Sequence, residues 1–130
     1  MKIFHGRQAG APTEQRSATF SGTVYADPVM ATTDNVTINN VFFAAGARTY
    51  WHAHEYGQIL QVTAGSGLVC VEGGMPQVIR TGDVVWIPAD ERHWHGASQT
   101  TCMAHVATSL GKTSWHEEVT NEHYTLAAIA

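Results

Sequence analysis

The sequence predicts an all-β fold, an antiparallel sandwich or barrel of roughly eight short strands that ends in a short helix. Short runs rich in Val, Ile, Thr and aromatic residues recur along the chain, and Gly, Pro or Asp separates one run from the next. No segment before Trp115 keeps a helical period, so the chain lacks the helical crossovers that a parallel sheet needs. These observations favour antiparallel strands over an α/β fold.

The predicted strands follow the apolar or alternating runs in chain order. These runs are ATFSGTVY, VTINNVFF, RTYWHAH, QILQVTAG, GLVCVEG, PQVIRTG, DVVWIPA, HWHGAS and CMAHVAT. Glycine accepts a positive φ or a close backbone approach, so the predicted corners lie at Gly46, Gly65, Gly67, Gly73, Gly74 and Gly82. Only the last segment, TNEHYTLAAIA, fits a helix, with Thr120 or Asn121 as its N-cap.

Length and composition indicate one domain, residues 1–130, in which the 44% of apolar residues suffice for a core. The formal net charge of -4 contains no long run of either sign, which disfavours a nucleic-acid or membrane surface and favours a small-molecule substrate. No segment has the pattern of a secretory leader or the length of a membrane span. We therefore expect a cytoplasmic protein.

Histidines cluster in the middle of the chain, where five of the eight lie between positions 52 and 105. Alternate residues of a strand share a face, so His52 and His54 point the same way, about 7 Å apart. Gln58 has the same parity, and His93 and His95 repeat the pair. One such pair fits a solvated strand. Two pairs on apolar strands favour a shared metal ion, because each unpartnered buried imidazole costs a few kcal/mol.

These residues resemble the two motifs of the cupin superfamily. The first motif is matched, with Gln in place of the usual Glu, by Gly46, His52, His54, Gln58 and Gly65. The second motif is matched at Gly82, Pro88 and His93, whereas its usual Gly and Asn are replaced by Asp90 and Ala97. The resemblance implies a double-stranded β-helix, or jelly-roll barrel, and a metal ion held by His52, His54, Gln58 and His93.

Longer strings are similar to the small single-domain bacterial cupins that include manganese-dependent hydroxynitrile lyases, which also use Gln as the fourth ligand. These strings are GARTYWHAH, GQILQVTAG, EGG, GDVVWIP, HWHGA and EEVTNEHY. The resemblance implies Mn²⁺ as cofactor, with Fe²⁺ as the alternative; Zn²⁺ or Ni²⁺ can substitute because many sites bind them more tightly. It also implies a homo-oligomer, either a dimer or a tetramer, and points to Thr49 as a pocket hydroxyl.

The implied ligands are all neutral, so a bound divalent ion keeps its full charge and is a strong Lewis acid with two open positions. His95 and His105 are the candidates for a general base. The alternative for His95 is a partner that orients a ligand, and for His105 it is a satisfied core histidine.

Three functions are compatible with this site. The leading hypothesis is a lyase that splits an α-hydroxynitrile into an aldehyde or ketone and cyanide, or catalyses the reverse addition. The second is a metal-dependent dioxygenase acting on a small phenolic or dicarbonyl substrate. The third is a non-catalytic module that binds a metal or another ligand.

Several further residues have structural interpretations. Cys70 and Cys102 are expected to be buried free thiols, because they lack metal-ligand spacing. Trp86 is expected in the core, and Arg48 is expected to pair with Glu55. Trp51 and Trp94 are predicted to pack between the sheets or at a subunit contact. The surface histidines are predicted to be His5, His116 and His123.

Overall fold

The computed structural model describes residues 1–6 and 12–129. Two antiparallel sheets curve around one interior and share a single long strand. In spatial order, the first sheet contains β1 (Glu14–Arg16), β3 (Val24–Thr33), β4 (Val36–Phe43), β11 (Met103–Leu110), the first half of β7 (Gly57–Val71) and β9 (Val84–Ile87). The second sheet contains β2 (Phe20–Ser21), β5 (Arg48–Thr49), β10 (His93–Ala97), the second half of β7, and β8 (Gln77–Arg80), with β6 (His52–His54) and β12 (Thr113–Trp115) beyond β10. The predicted all-β jelly-roll barrel is confirmed.

Strand β3 continues farther than its sequence pattern predicts. Pro28 interrupts the apolar run, but the register with β4 shifts beside it, which accommodates a residue that has no N–H to donate. The hairpin then turns at Asp34 and Asn35, whose φ angles of 49° and 65° are both positive. Two successive positive φ values are typical of the tight hairpin turns whose twist matches that of the strands.

Two glycines shape β7, the strand common to both sheets. Gly57 has a φ of 105°, and a Cβ at this position would lie 2.6 Å from the Ile87 carbonyl oxygen. Gly65 has a φ of 70°, and its Cβ would lie 1.9 Å from the Cys102 carbonyl oxygen. No L side chain fits either place without backbone movement. The first glycine is the first residue of the strand, and the second lies where the strand passes from one sheet to the other.

Two groups of apolar side chains and the cluster of histidines fill the interior of the barrel. One group consists of Val24, Phe43, Ala47, Val62, Ile79, Ala97 and Met103. The other consists of Leu60, Ile87 and Ala107. These side chains alternate with outward-facing ones along their strands, as expected for sheets with one buried face.

The C-terminal helix α1 (Asn121–Ile129) covers the outer face of the second sheet. Thr120 is its N-cap, because its Oγ1 accepts a hydrogen bond of 3.1 Å from the His123 N–H. Tyr124 donates its hydroxyl to the Ala97 carbonyl at 2.6 Å. Within the described residues, no helix combines the length and apolar character needed to span a membrane.

Trp94 is fully buried beneath this helix, and its Nε1 donates to His123 Nε2 at 3.1 Å. The expectation that Trp94 packs between the sheets is therefore wrong, since it lies on the opposite face of β10 from the cavity histidines. His123, expected on the surface, is half-buried between the rings of Trp51 and Trp94. His5 and His116 are exposed, as predicted.

Three other expectations are corrected by the structure. Trp86 is 58% exposed, because Ile87 takes the inward position of β9 and alternation turns the indole outward. Cys102 is exposed in the turn before β11, whereas Cys70 is buried. Arg48 does not pair with Glu55; its Nη2 donates to the Val119 carbonyl and to Asn121 Oδ1, at 2.9 and 2.7 Å. That side chain therefore ties the helix to the barrel.

Candidate metal centre

Strand pairing brings the two histidine pairs together inside the barrel. β6 and β10 lie antiparallel with His52 opposite His93, and the centroids of these two rings are 4.2 Å apart. His54 at the end of β6 and His95 in the middle of β10 project to the same side, and all four imidazoles are buried. Two segments that are distant in sequence thus supply one cluster.

Three of these rings are held by hydrogen bonds at Nδ1. The Tyr50 carbonyl lies 2.9 Å from His52 Nδ1, and the Glu91 carbonyl lies 2.9 Å from His93 Nδ1. A carbonyl only accepts, so each of these Nδ1 atoms carries the proton and each Nε2 keeps a free lone pair. His54 Nδ1 is similarly within 3.0 Å of the Thr113 hydroxyl. Such outer partners orient imidazoles for metal binding.

Gln58 presents its amide oxygen to the same space. Its Nε2 donates to the Ser109 hydroxyl at 3.0 Å, which fixes the orientation of the amide. Its Oε1 lies 3.1 Å from His93 Nε2. An oxygen donor and imidazole nitrogens therefore converge, and this is a donor set that suits Mn²⁺, Fe²⁺ and other first-row divalent ions.

Among the described residues, His52, His93 and His95 each offer one ligand atom, and these three atoms lie within 4.8 Å of one another. His54 is not part of that group, although its ring centroid is 5.0 Å from that of His52 and 5.6 Å from that of His93. Both His54 Nε2 and His95 Nε2 are buried, and no described residue offers either atom a partner of hydrogen-bond geometry. Buried lone pairs of this kind are costly unless something binds them, so the residues present fit a metal ion.

Burial keeps these imidazoles neutral. It lowers the pKa of His54 and of His93 to about 4, and the neighbouring imidazole of His93 adds to the shift at His54. Burial also lowers the pKa of His52 and of His95 well below the ordinary value, with further lowering from His93 and from His105 respectively. Neutral imidazoles are the form that binds metals, so the cluster is ready for an ion at neutral pH.

His95 and His105 form a second buried pair beside the cluster. Their Nδ1 and Nε2 atoms are 3.0 Å apart, and burial lowers the pKa of His105 to about 4. Thr49 lies next to them, with its Oγ1 accepting a bond of 3.2 Å from the His95 backbone N–H. Thr49 and His52 would face opposite sides of a continuous strand. The strand is interrupted between β5 and β6, however, so both side chains line the cavity.

A cavity of about 100 Å³ lies above the histidines. Its apolar wall consists of Phe20, Val41, Phe43, Ala107 and Trp115. Its polar wall consists of Thr49, His52, His54, Gln58, His95, His105, Ser109 and Thr113. Sequence reasoning missed Phe20, Ser109, Thr113 and Trp115, since none belongs to a motif. Alternation along a strand can predict that these side chains point inward. It does not show which strands lie opposite the histidines.

Comparison with known proteins places this site in a family. A family model described as a cupin domain matches residues 40–108. The chain belongs to the cupin family. This cupin is 47% identical over 111 residues to a protein named (R)-mandelonitrile lyase from Granulicella tundricola, and the match covers 81% of this chain and 85% of that protein. The resemblance seen in the sequence is confirmed at the level of the family.

Solved structures agree with this cupin fold. A cupin-like protein from Thermotoga maritima has a TM-score of 0.85 and 33% identity, and the match covers 98% of this chain and 97% of that one. A polyketide cyclase from Streptomyces resistomycificus has a TM-score of 0.72 and 16% identity, with coverage of 95% and 90%. The second likeness concerns the fold alone.

Proposed function

We propose that this cupin is a metal-dependent hydroxynitrile lyase, which splits an α-hydroxynitrile into an aldehyde or ketone and hydrogen cyanide. The observation that carries the proposal is the buried pair of His95 and His105, 3.0 Å apart beside a cluster of neutral metal-ligand atoms. The likeness to a protein named (R)-mandelonitrile lyase supports the same reaction.

His52, His54, Gln58 and His93 are the proposed ligands, and Mn²⁺ is the proposed ion, with Fe²⁺ as the alternative. When bound, the ion supplies positive charge that stabilises negative charge developing on the substrate. His95 is assigned a different role because its Nδ1 faces another imidazole. The carbonyls at His52 and His93 fix one tautomer, whereas the contact with His105 allows a proton on either nitrogen of the pair.

The pair of histidines can move the substrate proton. With its Nδ1–H donated to His105 Nε2, His95 has a free lone pair at Nε2, which is buried at the cavity. This Nε2 accepts the hydroxyl proton of the hydroxynitrile while the carbon–cyanide bond breaks and the carbonyl forms. His105 stabilises the imidazolium through the same hydrogen bond. Return of the proton from His95 to cyanide gives hydrogen cyanide and restores the neutral pair.

The remaining cavity residues bind and orient the substrate. Thr49 Oγ1 already accepts the His95 backbone N–H, so its own proton is available to an oxygen or nitrogen of the substrate. The aromatic rings of Phe20, Phe43 and Trp115 and the side chain of Val41 surround the space where the carbon substituent would lie. This wall excludes water and favours an apolar substituent.

Mandelonitrile is the substrate for the test. Protein loaded with Mn²⁺ is expected to release benzaldehyde, and metal-free protein is expected to release none above the rate of the buffer. Absence of metal-dependent release would contradict the proposal. Oxygen uptake with small phenols or dicarbonyls would instead identify a dioxygenase. A retained ligand without turnover across such a panel would identify a binding module.

Two other expectations remain predictions. The chain is expected to form a homo-oligomer, a dimer or a tetramer, which light scattering of the purified protein measures. A cytoplasmic location is expected from the sequence, and fractionation of the source cells measures that.

A further inference from the structure

Two aromatic side chains separate the metal cavity from a larger groove on the outside of the barrel. The groove has a volume of about 470 Å³ and is lined by residues 14–20 and by Trp115. The inner cavity, of about 100 Å³, is lined by Phe20 and Trp115 as well. A molecule that passes from the groove to the histidines therefore passes these two rings.

We propose that Phe20 and Trp115 form a size-selective aperture through which small neutral ligands enter the metal cavity. Their ring centroids are 5.6 Å apart, and the ring planes are inclined by 58°. At this distance the rings are in contact, so a ligand that comes from the groove passes between them only when one of them moves. The outer groove is the larger of the two spaces, so the ring pair, and not the groove, limits the size of what enters.

The backbone holds the two rings over the site. Phe20 pairs with Thr49 across β2 and β5, and Trp115 pairs with His52 across β12 and β6. The Trp115 ring contacts the His52 ring with centroids 4.6 Å apart and planes inclined by 34°, and 41% of Trp115 is exposed. The Phe20 ring reaches the inner residue Phe43, at a centroid distance of 6.3 Å. Each ring thus spans from the interior to the surface.

The aperture favours neutral molecules over ions. Both rings are uncharged, and the charged residues of the groove, Arg16 and Glu14, pair with one another at 3.2 Å. An ion would lose its hydration between two aromatic rings without gaining a charged partner, which is unfavourable. A small neutral molecule has no such cost.

Phe20 is the better residue to change, because Trp115 touches a proposed ligand of the metal. The Phe20 ring contacts the rings of Phe43 and Trp115, so truncation of Phe20 opens the passage and leaves the histidines in place. The test compares imidazole with the bulkier 4-phenylimidazole, each binding to protein loaded with Co²⁺, by the change in visible absorption. Phe20→Ala is expected to speed the entry of 4-phenylimidazole about ten-fold or more and to change that of imidazole little.

Phe42→Ala is the matched control, because Phe42 is 40% exposed and lies in β4, outside both cavities. It is expected to change neither rate. Phe20→Trp, which keeps the ring contact and narrows the passage, is expected to slow 4-phenylimidazole. The proposal would be overturned if Phe20→Ala accelerated the entry of both ligands equally or of neither. It would also be overturned if Phe42→Ala had the same effect as Phe20→Ala.

A second measurement needs no metal. Diethyl pyrocarbonate modifies imidazoles, and peptide mapping of metal-free protein reports each histidine separately. Phe20→Ala is expected to speed modification of His95 several-fold, while the exposed His116 reacts at an unchanged rate. An unchanged rate at His95 would overturn the aperture. Both measurements are independent of the proposed lyase reaction, which fails separately if mandelonitrile is not cleaved.

Discussion

The Nδ1 atom of His95 lies 3.0 Å from the Nε2 atom of His105, and both side chains are buried in the cavity wall. In the proposed reaction, this contact couples the two imidazoles in proton transfer. We expect His95→Ala to lower kcat for mandelonitrile cleavage about 100-fold or more, the usual contribution of a general base. His105→Ala removes the group that stabilises the imidazolium and is expected to lower kcat as well. Benzaldehyde release by metal-loaded variants measures both effects.

His116→Ala is the control for these variants, since His116 is exposed and outside the cavity. Its kcat is expected to equal that of the unchanged protein. Metal content has to be measured for each variant, so that loss of the ion is not mistaken for loss of the base. Full activity of His95→Ala with bound metal would contradict the assignment.

Gln58→Glu tests the importance of a neutral ligand set. A carboxylate is a good ligand for Mn²⁺ or Fe²⁺, so we expect the ion to be retained. The added negative charge weakens the attraction of the site for a developing oxyanion, and kcat is expected to fall about tenfold. Gln61→Glu is the matched control, because Gln61 is on the same strand but exposed on its outer face. Loss of activity in both variants would point to a general effect of charge.

The buried histidines make the metal-free protein less stable in acid. Burial lowers the pKa of His105 to about 4, against an ordinary value of 6.5 for the unfolded chain. Between these values the unfolded state binds a proton that the folded state does not, so stability present above pH 6.5 is lost as the pH falls toward 4. At about pH 5 this one residue lowers the free energy of unfolding by about 2 kcal/mol.

Urea unfolding of metal-free protein at neutral pH and at about pH 5 measures this loss. Between the two pH values, the free energy of unfolding of His105→Gln is expected to fall by about 2 kcal/mol less than that of the unchanged protein. His116→Gln, at an exposed position, is expected to show the full loss. Equal losses for all three proteins would contradict the proton linkage at His105.

Asp90 occupies a backbone conformation that usually requires glycine. Its φ is 60°, and its N–H donates to the His54 carbonyl at 2.8 Å. We expect Asp90→Ala to destabilise the protein by about 1 kcal/mol, because Ala has no polar side chain to support the left-handed region. Asp90→Gly is expected to be close to neutral, since relief of strain is offset by the flexibility of the unfolded chain. Thermal unfolding of the two variants compares them.

The sequence allows some parts of this site to be predicted better than others. Because residues of a strand follow a period of two, alternation predicts that His52 and His54 share one face of β6 and that His93 and His95 share one face of β10. The first motif also includes Gly65, whose positive φ lies where β7 passes from one sheet to the other. Both features are local and can be seen in the residues themselves.

Other parts depend on contacts between distant segments. Trp86 and Arg48 were misplaced because a sequence does not state which face of an edge strand is covered, or that the C-terminal helix packs against β5. The aromatic wall of the cavity is built by Phe20 and Trp115, which are 95 positions apart. Their proximity arises only from the pairing of β2 and β12 with neighbouring strands.

Metal content of purified variants, measured by elemental analysis, tests the ligand assignment most directly. His52→Ala, His54→Ala and His93→Ala are expected to lose most of the ion, whereas His95→Ala is expected to retain about one ion per chain. Full metal content in His52→Ala, or loss of the metal in His95→Ala with retention in His54→Ala, would contradict the assignment.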